Sequence, residues 1–135
     1  MESPSSDGRH VLTMLVDYPD LGQMDYKACW EYQQVLFDTL LRAKGTATES
    51  AGYLLLVEHP AVYTLGKSGH ADNLLVSEEY LRSIGAEFYR IDRGGDMTFH
   101  GPGPIVGYPI LDLERMGFSL RDYIDALEGA VIRTV

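Results

Sequence analysis

The sequence predicts an α/β (α+β) fold, a mixed β-sheet flanked by helices. Three observations point there: short apolar runs that suit strands, two stretches with apolar residues at helical spacing, and glycine or proline punctuation between them. At 135 residues, 45% hydrophobic and 23% charged, the chain is composed like one ordinary domain with material for a sizeable core, which excludes two large domains.

Met1–His10 holds Ser, Pro, Gly, Asp and Glu with almost no large apolar side chain, and reads as a flexible leader. Val11–Val16 is a short apolar run stopped by Asp17-Tyr18-Pro19-Asp20-Leu21-Gly22, which predicts a first strand and a turn. From Met24 to about Arg42 the residues Tyr26, Cys29, Trp30, Leu36, Phe37, Leu40 and Leu41 recur at helical spacing with Gln33 interrupting, which predicts an amphipathic helix. The polar stretch Lys44–Ser50 ends it. Tyr53–Val57 is apolar without alternation, as expected of a strand buried on both faces.

Val62–Leu65 looks like a partner strand. Ser77–Ile84 predicts a short helix with Ser77 as its cap and Glu78-Glu79 in the first turn, and Ala86–Ile91 another strand. Glycines then cluster up to Gly107, the extended run Tyr108–Leu113 follows, and Ser119 with Asp122 makes a capping-box start to a last helix. That helix carries Leu120, Tyr123, Ile124, Leu127, Ala130, Val131, Thr134 and Val135 on one stripe to the last residue. Periodicity alone leaves open whether the helix closes a complete chain or the chain is a fragment.

Twenty acidic against eleven basic residues give a net charge of −9, which argues against a primary role in binding nucleic acid or an anionic membrane. No window reaches the roughly 18 apolar residues of a membrane span, and the start lacks a secretory signal pattern, so the expected location is cytoplasmic. The single cysteine, Cys29, excludes an intrachain disulfide framework. The four histidines, His10, His59, His70 and His100, show no metal-ligand spacing.

Two clusters concentrate the candidate chemistry. The denser is Arg93-Gly94-Gly95-Asp96-Met97-Thr98-Phe99-His100-Gly101-Pro102-Gly103-Pro104. Its paired glycines let backbone N–H groups approach a ligand, Arg93 suits an anionic or carbonyl group, and Thr98 and His100 share a face if the segment is extended. Taken by itself, such a stretch reads first as a strand pair joined by glycine turns, with Arg93 in a salt bridge and His100 a satisfied loop residue; a pocket wall is the alternative. It matches neither a P-loop nor a dinucleotide fingerprint. The second cluster, Glu58-His59-Pro60 through Tyr63, Gly66, Lys67, Ser68 and Gly69, follows the apolar strand, a usual place for ligand contacts. Lys67 suits an anion there, or a solvated surface.

Together, Glu58-His59-Pro60, Val62-Tyr63-Thr64-Leu65-Gly66, Arg93-Gly94-Gly95, Thr98, His100-Gly101-Pro102-Gly103 and Tyr108-Pro109 resemble the octanoyl (lipoyl) transferases of lipoate biosynthesis. That family shares its fold with lipoate–protein and biotin–protein ligases. The resemblance covers roughly Met24 to the C-terminus. It implies a biotin/lipoate-ligase-like fold, C-terminally truncated, with residues 11–135 as the N-terminal part of a single catalytic domain.

The resemblance further implies transfer of an octanoyl group from the phosphopantetheine thioester of acyl carrier protein to a lysine of lipoyl domains, through a cysteine thioester. Those acceptors are the lipoyl domains of 2-oxoacid dehydrogenases and the glycine cleavage H protein; neither metal, nucleotide nor other cofactor is expected. Arg93, Gly94, Gly95, Asp96, Met97, Thr98, Phe99 and His100 would bind the acyl substrate, with Tyr63, Gly66, Lys67, Gly101 and Gly103 as further pocket or docking residues. Lys67, Arg90 and Arg93 flank the motif loops and are candidates to receive an acidic carrier protein.

Two departures stand out. Pro104 replaces the family's usual Gln, removing a polar side chain and a backbone donor. The family's nucleophilic cysteine and activating lysine would lie beyond Val135, and Cys29, on the apolar stripe of a helix, reads as a core residue. No catalytic residue is therefore assigned, and the chain alone is expected to be inactive, with its last helix and one sheet edge short of their usual cover. The alternatives are an ATP-dependent lipoate or biotin ligase relative and a non-catalytic module that binds an acyl group or its carrier.

Overall fold

The longest apolar run becomes the central strand of the structure, a computed structural model that describes residues 14–67, 69 and 77–135. The expected leader, Val11 and its two neighbours, Ser68 and His70 lie outside the described residues. The strands β1 (Leu15–Asp17) and β2 (Asp20–Gln23) precede helix α1 (Tyr26–Arg42) and the nine-residue β3 (Ser50–Glu58). Then come β4 (Val62–Leu65), α2 (Glu78–Ser83), β5 (Glu87–Arg90), β6 (Met97–His100), β7 (Val106–Leu111), α3 (Leu113–Met116) and α4 (Leu120–Thr134).

The mixed α/β architecture matches expectation, with the described strands divided between two sheets. In the first, β1 and β2 pair in parallel with one edge of β3, and β7 runs antiparallel along the other from Gly52 opposite Leu111 to Val57 opposite Val106. Gly52 makes that close approach feasible: its φ is +134°, and a side-chain carbon there would overlap the carbonyl oxygen of Ile110. In the second sheet β4 is central, parallel to β5 and antiparallel to β6.

Four local expectations are corrected. The stretch read as a turn, 17–22, contains the start of β2, because the Pro19 carbonyl and the residues after it pair with β3 instead of reversing the chain. Val62–Leu65 is a partner of β5 and β6, not of the preceding strand, since the short Pro60 connection carries it into the other sheet. β3 is not equally buried on its two faces: Ala51, Leu55 and Val57 are inaccessible on one, whereas Leu54 and Leu56 on the other keep partial exposure. The extended run expected up to Leu113 ends at Leu111, where Asp112 accepts the Arg115 N–H at 3.1 Å and caps α3.

The two long helices start as the sequence dictates. Asp25 accepts the Ala28 N–H at 3.1 Å to cap α1, and α4 carries the full Ser119–Asp122 capping box. Their burial differs. α1 buries Cys29, Leu36 and Leu40, with Trp30, Phe37 and Leu41 of the expected stripe left exposed. α4 buries no residue, and Val131 and Ile132 are 63% and 73% exposed.

Candidate functional site

The two sequence clusters meet because β4 leads directly into one and β6 directly out of the other. Antiparallel pairing sets Val62 opposite His100, Tyr63 opposite Phe99, Thr64 opposite Thr98 and Leu65 opposite Met97. Opposed residues share a face, so Val62, Thr64, Thr98 and His100 lie on one side, and Tyr63, Phe99, Leu65 and Met97 on the other. Tyr63 and Phe99 are in ring contact, with centroids 4.9 Å apart.

The pairing continues past the strands as a backbone clasp. Gly66 N–H donates to the Asp96 carbonyl and Lys67 N–H to the Arg93 carbonyl, both at 2.8 Å. Gly66 lies so close that a side-chain carbon would overlap the Gly95 carbonyl and sit 2.7 Å from that of Arg93. Any other residue would push the loops apart.

Arg93 is the internal tie of this loop. Its guanidinium donates to the carbonyls of Gly94 at 2.7 Å and Asp96 at 3.1 Å, with longer contacts to the backbone and hydroxyl oxygens of Thr64 at 3.4 Å. It thus holds the glycine turn by backbone acceptors and, among the described residues, forms no ion pair with a carboxylate. Lys67 forms an ion pair with Asp92 at 2.7 Å, between two exposed side chains. Gly103 donates to the Glu58 carboxylate at 3.0 Å, joining the end of the glycine-rich stretch to the end of β3.

On the face bearing His100 an aromatic cluster forms. Tyr26, in the first turn of α1, stacks on His100 and on Tyr89 with centroids 6.1 and 5.5 Å away, and meets the edge of His59 at 5.3 Å. His59 lies 5.9 Å from His100 and 5.8 Å from Tyr108. Burial lowers the pKa of His100, and His59 and Arg93 act in the same direction. Burial raises Tyr26 against the opposing pull of Arg93, raises Tyr108, and with the Glu87 carboxylate pushes Tyr89 up to about 12. These phenols keep their protons at neutral pH.

Tyr26, Trp30 and Gln33 of α1 face Ile91, Asp92 and Arg93 after β5, with Tyr108 of β7 closing the ring, around a cavity of about 200 Å³. Of the residues expected to bind substrate, Arg93 lines this cavity, and His100 stacks on its Tyr26 wall. Gly66 and Lys67 line a neighbouring cleft of about 320 Å³ with Arg90 and Asp92. Cys29 is fully buried and burial raises its thiol pKa, opposed by a 3.5 Å contact from Gln33 Nε2; it is poorly disposed to be a nucleophile. Among the described residues no group of three or more His, Cys, Asp or Glu is placed to hold a metal ion.

Tyr26, His59, Tyr89 and Tyr108 are missing from the residues assigned a binding role from sequence. Tyr26 reads there only as part of a helical stripe, while His59 and Tyr108 figure only inside motifs. The signal is weak: Tyr and His residues scattered over α1, the end of β3, β5 and β7, with nothing local to say that they converge.

The two motif segments that carry the resemblance drawn above thus meet in a mixed α/β domain, at a glycine clasp beside an aromatic-walled cavity, and comparison with known proteins identifies the family. The model of the Lipoyl protein ligase A/B catalytic domain matches residues 25–135, and the chain belongs to that family. It is 51% identical over 126 residues to a protein of Flavobacterium psychrophilum named Octanoyltransferase, covering 89% of this chain and 54% of that one. Relatives of the same name from Christiangramia forsetii and Bacteroides fragilis are each 50% identical, over 126 and 108 residues, covering 89% and 80% of this chain and 54% and 49% of theirs. The chain spans about half the length of the curated relatives it matches.

Proposed function

We propose that this chain forms part of an octanoyltransferase of lipoate biosynthesis and supplies one wall of its acyl site. In this scheme octanoyl passes from the phosphopantetheine thioester of acyl carrier protein, through a cysteine thioester, to a lysine of a lipoyl domain, in the cytoplasm and without a metal or nucleotide cofactor. The acceptors would be lipoyl domains of 2-oxoacid dehydrogenases and the glycine cleavage H protein. The observation that carries the proposal is the clasp between Gly66-Lys67 and Arg93–Asp96, which joins the two motif segments beside an aromatic-walled cavity. The name shared by the relatives favours a transferase over an ATP-dependent ligase.

Within the site, Arg93 through His100 would line the acyl group, the guanidinium holding the turn while the Tyr26 and His100 rings present apolar surface. The burial of Cys29 and its raised thiol pKa support a nucleophile supplied from outside these 135 residues, so the chain by itself would not turn over. An assay with octanoylated carrier protein and a lipoyl domain tests this: the isolated chain should bind an octanoyl thioester and transfer nothing. Transfer at an ordinary enzymatic rate would overturn the assignment of Cys29, and strict dependence on ATP would favour the ligase reading.

A further inference from the structure

His59 is 1% exposed, lies outside the acyl-binding segment proposed above, and has both ring nitrogens engaged. Nδ1 is 2.8 Å from the Met24 carbonyl and Nε2 is 2.8 Å from the Tyr108 hydroxyl. A carbonyl oxygen only accepts, so Nδ1 carries a hydrogen; in the neutral ring Nε2 is then an acceptor, and the Tyr108 hydroxyl must donate to it. Three elements are tied at one point: the residue two before α1, the end of β3, and β7.

We propose that His59 is a positioning residue that sets the polarity of the cavity wall. With its hydrogen committed to His59, the Tyr108 oxygen offers the cavity only lone pairs, so Tyr108 is not a donor to an acyl carbonyl. Donors to such a carbonyl would come from the other lining groups, among them Gln33, Trp30, Arg93 and the Tyr26 hydroxyl, while Tyr108 contributes ring surface to an aliphatic chain. The link to an acyl ligand rests on the proposed function; the orientation of His59 and Tyr108 does not.

The test begins with imidazole ¹⁵N spectra of the 135-residue protein near neutral pH, with and without Tyr108→Phe. That variant keeps the ring and removes only the hydroxyl. The proposal expects the His59 hydrogen on Nδ1 and an Nε2 resonance that shifts in Tyr108→Phe; a hydrogen on Nε2, or an Nε2 signal indifferent to the substitution, overturns it. Titration with an S-octanoyl thioester of N-acetylcysteamine, followed by Trp30 fluorescence, adds the ligand. If His59 acts through Tyr108, His59→Gln and Tyr108→Phe should weaken binding to a similar degree, and the double variant no more than either alone; fully additive losses overturn the proposal. The expected ¹⁵N pattern with no thioester binding by the native chain would support the positioning role and overturn the acyl reading, which separates the two.

Discussion

The two sheets are held together in different ways. In the first, β3 contributes Ala51, Leu55 and Val57 to the core, alongside Cys29, Leu36 and Leu40 from α1, and its strands pair over as many as six consecutive residues. In the second, the strands are four residues long, and the joining of the motif loops beyond them is made by backbone groups: Gly66 and Lys67 against Arg93 and Asp96, with the Arg93 guanidinium on carbonyls. Both sheets bury side chains, Ala51, Leu55 and Val57 on β3 and Val62, Thr64 and Leu65 on β4; the second differs in closing its motif loops through backbone groups that leave no room for a side chain at Gly66.

Substitutions test that division, and the largest effect is expected in the first sheet. Leu55 is fully buried at its centre, so Leu55→Ala should cost about 2–5 kcal/mol by urea unfolding, and cavity and fold should be lost together. Gly66→Ala should cost less, roughly 1–3 kcal/mol from overpacking, yet abolish thioester binding while the circular dichroism stays native. If Gly66→Ala unfolds the chain as completely as Leu55→Ala, the two sheets are not separable in this way.

Smaller effects follow at the helix ends and at the site. Ser119→Ala removes the cap of α4 and should cost about 1 kcal/mol in thermal unfolding, without changing ligand binding. His100 has its pKa lowered in the folded state, so the stabilisation it contributes is fully present above its unfolded pKa and is lost as pH falls through the lower folded value. The thermal midpoint should therefore decline on acidification below the ordinary histidine range, and His100→Gln should remove that component. Smallest of all, Lys44→Met, which breaks the pairs from the Lys44 ammonium to Asp112 and Glu114, should lower the thermal midpoint only slightly, an effect that vanishes in high salt. A larger loss would mean that the connection after α1 carries more of the first sheet's stability than its exposure implies.

The helices show how far local pattern reaches. Both α1 and α4 could be placed from spacing and capping residues, because a 3.6-residue period and an N-cap are local properties. The same patterns did not separate the buried face of α1 from the exposed one of α4, since burial depends on what packs against a helix. Turn chemistry misled at 17–22, where Pro19 and Asp20 have turn character but β3 offers strand pairing.

From the residues alone followed the mixed α/β class, most of the elements, the core placement of Cys29, and the two motif segments with the family they resemble. Tertiary structure alone decided that β4 leaves the sheet of β3, that Gly66 closes on Gly95, and that His59 reaches Met24 and Tyr108, respectively 35 and 49 residues away in the chain. Periodicity records which face of an element is apolar; which distant element meets that face depends on strand register and loop closure, and these are settled only when the whole chain packs.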